Sequence, residues 1–310
     1  MTSSITVPRP TPTALDVRLA AERIAPHLRR TPLLRARLRG RPLLLKLEHL
    51  QITGAFKLRG ALNALLAGDV GGRVVTASGG NHGLGVATAA RMLGVSATVY
   101  VPETVPEVKE RRLREAGAEV VRAGAEYAAA AAAARARAEA DGVRYVHAYD
   151  DPDVVAGQGT LGYEIAADAP DCDAVAVAVG GGGLVAGVSL GIGEERVAVA
   201  VEPHGCASLH AAFAAGGPVD VPVDSVASSA LGASRVGDVP FRVLRDRRVV
   251  CALVSEAEIL AARDLLWEEF RIAAEPAAAV PLAAWLAGRV PGELPCVVVC
   301  GANADWRPLD

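Results

Sequence analysis

Short runs of β-branched and other apolar residues alternate with alanine- and leucine-rich stretches along almost the whole chain. The strand candidates are the segments RPLLLKL, GRVVTA, ATVYV, AEVVRA, VRYVHA, DAVAVAV, RVAVAVE and LPCVVVC. Because the helices that connect parallel strands cover both faces of the sheet, such strands are apolar throughout. The sequence therefore predicts an α/β protein built on open parallel sheets.

The strand candidates between about 71 and 148 form a compact central block, and the others come before and after it. This arrangement predicts a small, mobile α/β domain, residues 71–148, inserted into a larger domain formed by residues 1–70 and 149–310. The chain has 310 residues, of which 51% are hydrophobic, and can therefore bury the core of one large domain or of two modest ones.

The composition argues against several classes of partner. A net charge near -3 leaves no basic excess to neutralise a nucleic acid. No window reaches the ~18 uncharged apolar residues of a membrane span. The five cysteines are an odd number, far apart and without a CxxC pair, so they favour neither a disulfide framework nor a zinc site. We expect a cytoplasmic protein with no nucleic acid and no membrane as partners.

Four consecutive glycines, Gly180, Gly181, Gly182 and Gly183, join the strand candidate AVAVAV to a helical stretch, LVAGVSLG. Glycines allow the backbone to turn closely with its N–H groups pointing inward, and the start of a helix adds partial positive charge. Such a turn binds anions, and a phosphate is its natural ligand. A tight turn without a ligand is the alternative, which suits two glycines better than four.

Two further turns follow strand candidates. The segment SGGNHG, residues 78–83, opens a helix, where free N–H groups and the side chains of Ser78 and Asn81 suit a carboxylate. A simple Asn-capped turn explains it almost as well, and His82 is as readily structural as catalytic. The last strand candidate ends at Cys300, a position that usually holds an inert core thiol. All three turns follow the carboxyl ends of strands, where open parallel sheets bind their ligands.

Lysine is rare in this chain, because the 32 basic residues include only Lys46, Lys57 and Lys109. Lys46 lies within a strand candidate, and Lys109 lies in a charged run typical of a solvated helix face. Lys57 begins a helical stretch, where the helix dipole disfavours a cation. A lysine that its apolar neighbours desolvate, with a lowered pKa, is suited to condense with an aldehyde cofactor. Together with the two glycine turns, it indicates pyridoxal 5'-phosphate chemistry on an amino acid.

Five motifs occur in the order TGAFKLRGALNA, SGGNHG, DPDVVAGQGTLGYEI, GGGGL and CGAN. With them the chain resembles, over almost its full length, the fold-type II pyridoxal-phosphate enzymes of the serine/threonine dehydratase (threonine ammonia-lyase) and serine racemase family. The resemblance implies two open parallel-sheet lobes of the tryptophan synthase β-like kind. It also implies a homodimer, which is the commonest symmetric assembly.

The resemblance assigns a role to each motif. Lys57 is implied as the lysine that condenses with the cofactor and as the base that removes the substrate α-proton. Phe56 would pack on the cofactor ring, Asn81 would contact its hydroxyl, the glycine run would bind its phosphate, and Cys300 would face its pyridine nitrogen. The implied cofactor-binding residues are Phe56, Lys57, Asn81, Gly180, Gly181, Gly182, Gly183, Leu184 and Cys300. The residues implied to surround the substrate carboxylate are Ser78, Gly79, Gly80, Asn81 and His82.

Two departures from the family pattern limit the expected activity. Racemases of the family carry a serine as a second base where this chain has Gly79, which offers no acid or base. Metal-binding members have an Asp shortly after a Glu-Pro segment, but here Glu202 and Pro203 are followed by Ser208 at that position. Loss of a carboxylate weakens a Mg²⁺ or Ca²⁺ site. We predict no metal site, with Glu202 as the remaining candidate ligand.

The leading hypothesis is a lyase that deaminates a β-hydroxy α-amino acid of the serine/threonine type to a 2-oxo acid and ammonia. A neutral thiol at Cys300 makes the cofactor ring a weaker electron sink than a carboxylate would, which favours β-elimination over transamination. The alternatives are a β-replacement synthase or a racemase of the same superfamily, and a noncatalytic binding module. The segments HAYDD (147–151) and SSALGAS (228–234) are the candidates for contacting the substrate side chain.

Overall fold

The computed structural model describes residues 10–68 and 70–304, in which two separate sheets are surrounded by helices. The strands are Leu33–Leu38 (β1), Arg41–Lys46 (β2), Arg73–Ala77 (β3), Ser96–Val101 (β4), Glu119–Arg122 (β5), Arg144–Tyr145 (β6), Ala174–Ala178 (β7), Val197–Pro203 (β8), Val249–Val254 (β9) and Cys296–Val298 (β10). The α-helices are Ala14–Ile24 (α1), Lys57–Leu66 (α2), Asn81–Met92 (α3), Glu107–Glu115 (α4), Tyr127–Asp141 (α5), Pro152–Asp168 (α6), Gly183–Gly191 (α7), Ser208–Ala215 (α8), Ser228–Leu231 (α9), Asp238–Arg245 (α10), Glu256–Phe270 (α11) and Pro276–Leu286 (α12). Short 3-10 helices occupy Ala25–His27 and Glu48–Leu50.

The larger sheet has the strand order β1-β2-β10-β7-β8-β9. Its central strands β7 and β8 are buried along their whole length, as expected of strands with helices on both faces. The prediction of parallel strands is confirmed for this sheet except at one edge, where β1 pairs with β2 in an antiparallel hairpin. Its two-residue turn has positive φ at Arg39 and Gly40, the combination that matches the twist of a hairpin.

The smaller sheet has the order β5-β4-β3-β6 and is parallel throughout. Its strands are covered on both faces, so neighbouring residues join different cores. In β3, Val74 belongs to a cluster with Leu58 of α2 and Val86 of α3, whereas Val75 packs with the alanines of α5. The alanine-rich α5 thus covers one face of this sheet with its buried alanines.

Helix α2, which begins at Lys57, lies between the two sheets. One face packs into the core of the smaller sheet, and the other meets α6 of the larger part so closely that a Cβ on Gly157 would lie 2.7 Å from the carbonyl oxygen of Arg59. Small residues at such a crossing allow the two backbones to approach. The position of Lys57 is therefore fixed from both sides of the molecule.

A buried cluster of four charges ties α2 to β2 and α6. The Arg59 guanidinium donates to both oxygens of Glu48, at 2.8 and 2.7 Å, and to Glu164 at 2.7 Å, while Lys46 pairs with Glu164 at 2.5 Å. Although burial opposes it, Arg59 holds the pKa of the Glu48 carboxyl below its usual value. Because the two positive charges balance the two negative charges, none of these buried groups is left uncompensated.

None of the helices in the described residues is long and apolar enough to span a bilayer.

Candidate active site

A cavity of about 420 Å³ lies where the carboxyl ends of strands from both sheets meet. It is lined by every residue that the motifs predict for cofactor or substrate: Phe56, Lys57, Ser78, Gly79, Gly80, Asn81, His82, Gly180, Gly181, Gly182, Gly183, Leu184 and Cys300. The structure thus brings together motifs that are up to about 250 residues apart in the sequence. Their individual roles remain predictions.

Lys57 is held at the cavity by backbone pairing between its own segment and the end of β10. Phe56 N–H donates to the carbonyl oxygen of Cys300 at 3.1 Å, and Ala302 N–H donates to that of Gly54 at 2.9 Å. The Lys57 Nζ donates to the Ala148 carbonyl at 2.8 Å. Protein atoms enclose this amine on most sides, and burial lowers its pKa to about 8 against the opposing effect of nearby acidic groups.

The glycine run forms a close turn at the start of α7. Gly182 has a φ of +86°, and a Cβ on Gly181 would lie 2.3 Å from the Tyr149 ring. A side chain at either position would therefore be strained or would displace the tyrosine. Because Ala186 N–H makes the first intrahelical hydrogen bond, to Gly182, the N–H groups of residues 183–185 have no intrahelical acceptor. This backbone suits an anion such as a phosphate.

The SGGNHG turn leads directly into α3, whose first residue is Asn81. The Ser78 hydroxyl accepts the Gly80 N–H at 3.2 Å, which stabilises the turn. The His82 Nε2 lies 3.1 Å from the Val146 carbonyl oxygen and therefore carries the proton. Burial lowers the pKa of His82 to about 3, so this imidazole is neutral. Its side chain ties the turn to the strand region, which agrees with the structural reading of this residue.

Glu275 and Asn303 are site residues that sequence reasoning missed. Glu275 is only 4% exposed and lines the cavity, and Asn81 Nδ2 donates to its two carboxylate oxygens at 3.0 and 3.2 Å. Asn303 Nδ2 donates to Asn81 Oδ1 at 2.9 Å. The available signal was the single acidic residue in the apolar run IAAEPAAAV, since an isolated buried carboxylate needs a specific partner.

The cavity is also lined by the two segments predicted to contact the substrate side chain. Ala148 and Tyr149 come from the first segment, and residues 228–233, which include the short helix α9, come from the second. Lys109 of α4 and Tyr127 of α5 line it as well. Lys109 was predicted to lie on a solvated face, but the structure places it partly buried at the cavity.

Glu202 lies away from the cavity lining. Its carboxylate accepts the N–H groups of Leu209 and His210, at 2.8 and 2.9 Å, at the start of α8. Burial raises the pKa of this carboxyl to about 7. Ser208, at the position of the family's aspartate, donates its hydroxyl to the Gly180 carbonyl at 2.8 Å. Among the described residues, no cluster of three or more His, Cys, Asp or Glu side chains is arranged to hold a metal.

Comparison with known proteins gives consistent matches. The chain is 39% identical over 303 residues to an L-threonine ammonia-lyase of Geobacter sulfurreducens, covering 94% of this chain and 75% of the relative. It is 35% identical to a β-hydroxyaspartate dehydratase of Paracoccus denitrificans, covering 96% and 98%. The crystal structure of a T.th. threonine deaminase superimposes with a TM-score of 0.90 at 38% identity, covering 96% of this chain and all of that one.

A family model described as pyridoxal-phosphate dependent enzyme matches residues 24–301. This match confirms the predicted cofactor, and with the structural neighbour it confirms the fold class inferred from the five motifs. The chain belongs to the family of pyridoxal-phosphate dependent enzymes.

Proposed function

We propose that this protein is an ammonia-lyase that dehydrates and deaminates a β-hydroxy α-amino acid of the serine/threonine type, giving a 2-oxo acid and ammonia. The observation that carries the proposal is the partly buried amine of Lys57, with its lowered pKa, on the same cavity as the N–H groups of the glycine turn. The relatives named above catalyse reactions of this class according to their names, which supports a lyase.

Pyridoxal phosphate, when bound, supplies an aldehyde and an electron-withdrawing ring that makes the α-proton of an amino acid acidic. Lys57 takes up that proton at Nζ, because desolvation increases the fraction of its amine that is neutral near physiological pH. The Ala148 carbonyl accepts a hydrogen bond from the same nitrogen and orients it. Release of the β-hydroxyl then requires a proton donor close to the substrate oxygen.

The two anionic groups have separate binding sites. The N–H groups at the start of α7 hold the phosphate of the cofactor, and those of Gly79 and Asn81 at the start of α3 hold the substrate carboxylate. The fit at the first site rests on the absence of side chains at the glycines, since a Cβ at Gly181 or Gly183 would lie within 3 Å of Tyr149. Both helix dipoles add to the attraction.

Cys300 favours elimination over transamination. Burial raises the pKa of its thiol well above the usual value, so the group is neutral. If the pyridine nitrogen of the cofactor lies beside this thiol, the neutral group would keep that nitrogen protonated less effectively than a carboxylate, and the ring would be a weaker electron sink. Departure of the β-hydroxyl would then be favoured over transamination.

The alternatives differ in what they require of the site. A β-replacement synthase would need a second substrate to reach the same cavity. A racemase would need a second base, and Gly79 offers none; a Cβ there would already lie 3.0 Å from Val105 Cγ2. A noncatalytic module is not supported, because the family consists of enzymes.

Assembly, location and domain motion belong to the same proposal. We propose a cytoplasmic homodimer, supported by the five cysteines, which are all free thiols, and by the frequency of two-fold symmetric oligomers. We also propose that residues 71–148 form a small domain that closes over the substrate, supported by a sheet built only from strands of that segment. Substrate protection of the connections near 70 and 150 against proteolysis tests the closure.

The test is a panel of β-hydroxy amino acids in both configurations, including serine, threonine and β-hydroxyaspartate, assayed for 2-oxo acid and ammonia. Lys57→Ala should abolish turnover, and borohydride reduction of the wild type should attach the cofactor to Lys57. Product formation only after addition of a thiol or amine would favour a β-replacement synthase. No product from any substrate, with or without such a nucleophile, would refute the proposed function.

A further inference from the structure

The side-chain amide of Asn81 is held between two groups of opposite hydrogen-bonding character. Its Nδ2 lies 3.0 and 3.2 Å from the two carboxylate oxygens of Glu275, and its Oδ1 accepts from Asn303 Nδ2 at 2.9 Å. Asn303 is itself fixed, since the same nitrogen donates to the Thr53 carbonyl at 2.8 Å. Because a carboxylate only accepts and Nδ2 only donates, the amide has a single favourable orientation.

The surrounding backbone leaves room for this network and fixes its parts. Glu275 N–H donates to the Gly301 carbonyl, so the carboxylate is anchored beside the end of β10. A Cβ on Gly301 would lie 2.5 Å from Glu275 Oε1, and a Cβ on Gly54 would lie 2.8 Å from Asn303 Oδ1. A side chain at either glycine would therefore collide with the Glu275 carboxylate or the Asn303 amide, so both positions need glycine for the network to form.

The network also connects the two halves of the cavity. Asn81 begins α3, which packs on the smaller sheet, whereas Glu275 directly precedes α12, which packs on the larger one. With its oxygen occupied by Asn303, Asn81 can present only an N–H to a ligand in the cavity. An N–H donor suits a ligand oxygen that carries negative charge, such as a ring hydroxyl that has lost its proton.

We propose that Glu275 is a positioning residue that, together with Asn303, holds the Asn81 amide as a hydrogen-bond donor toward the hydroxyl oxygen of the bound cofactor. The inference rests on the proposed function in that the cofactor is taken to occupy this cavity. The titratable groups that face Glu275 are Lys57, Lys109 and Cys300. Burial raises the pKa of Glu275, and its ionised form stabilises the protonated state of Lys57, which is the second effect to be measured.

The decisive variant is Glu275→Gln, which keeps the shape of the side chain. Because Asn81 Nδ2 contacts both carboxylate oxygens, a glutamine turned either way places an NH₂ group against another NH₂ group. We expect the affinity of the purified apoprotein for pyridoxal phosphate to fall at least about tenfold, as for loss of a hydrogen bond to a charged group. The pH midpoint of the visible absorbance change of the bound cofactor should move to lower pH, because an anion near Lys57 is lost.

Gly301→Ala tests the orientation of the Asn81 amide without removing the charge of Glu275. The added methyl shifts the Glu275 carboxylate away from Asn81 but does not remove its negative charge. The affinity for pyridoxal phosphate should therefore fall, while the pH midpoint of the absorbance change should move little. Glu269→Gln is the matched control, since this exposed glutamate of α11 undergoes the same chemical change away from the cavity. It should change neither quantity. Thermal unfolding of each apoprotein shows whether the variants fold.

The outcomes separate the two levels of inference. Wild-type affinity and an unchanged pH midpoint in Glu275→Gln would overturn the positioning role while leaving the proposed function intact. Should Glu275→Gln prove unstable, Gly301→Ala decides: a tenfold loss of affinity supports the role, and wild-type affinity refutes it. Failure of the wild type to release 2-oxo acid from any hydroxy amino acid would instead refute the proposed function.

Discussion

Titration of the Lys57 amine in the apoprotein is the most direct physical test of the site. Burial lowers its pKa from 10.5 to about 8. At pH 7, below both values, this difference increases the neutral fraction of the amine about 300-fold, which corresponds to about 3 kcal/mol. The cause is desolvation of the amine by burial, which the nearby acidic groups of Cys300 and Glu275 oppose.

The assay is trace acetylation of the apoprotein with a limiting amount of reagent between pH 6 and 11, with quantification of the peptide that contains Lys57. Acetylation of the native protein should show a midpoint near pH 8. The same peptide in urea-unfolded protein is the internal control, with a midpoint near 10.5. A native midpoint that coincides with the unfolded one would refute the reasoning, because the amine would then be solvated.

Further predictions concern the glycine turn, the buried charges, metal ions and salt. Gly181→Ala should destabilise the site by about 1–3 kcal/mol and weaken pyridoxal phosphate binding, because its Cβ would lie 2.3 Å from the Tyr149 ring; unchanged affinity in a titration would contradict this. Arg59→Met should lower the free energy of unfolding in urea by about 3–5 kcal/mol, since it leaves two buried carboxylates with one cation. Mg²⁺ or Ca²⁺ should not raise the Tm, because the Glu202 carboxylate already accepts hydrogen bonds from two backbone N–H groups. A rise of several degrees would instead show a metal site. Cofactor affinity should change less than about threefold between 0.05 and 0.5 M salt, because short-range backbone dipoles hold the phosphate; a steeper dependence would indicate binding by side-chain cations.

The sequence predicted the central strands better than the edge strands. The eight predicted strands were all found, but β1 and β9 were missed. β1 reads LLRARL, with two arginines on its exposed side, and it pairs only at the sheet edge. The two arginines interrupt its apolar residues, so it lacks the continuous apolar run of a central strand; an edge strand can leave one face in water. β9 is likewise an edge strand and is only partly buried.

The loops of the site were predictable for a related reason. Each glycine turn follows a strand and opens a helix, and in parallel sheets such turns meet at one edge, so local patterns were sufficient to group Lys57 with residues 78–82 and 180–183. Glu275 and Asn303 could not be found in this way. They reach Asn81 across 194 and 222 residues of sequence. The apolar run around Glu275 indicates a buried carboxylate but does not identify Asn81 as its partner. Only the packing of the two sheets against α2 brings them together.

The choice of groups around the cavity follows from the need for a neutral amine. All but three of the 32 basic residues in the chain are arginines, yet no arginine is among the described residues that line the cavity. A guanidinium there would bind the phosphate or the carboxylate strongly, but its permanent charge would depress the pKa of Lys57 further and would compete for Glu275. Backbone N–H groups at the starts of α3 and α7 attract the same anions with only partial charges. The site can therefore bind two anionic groups while the only formal charges on its described lining side chains are those of Lys57, Lys109 and Glu275, and the protonation state of Lys57 is set chiefly by burial.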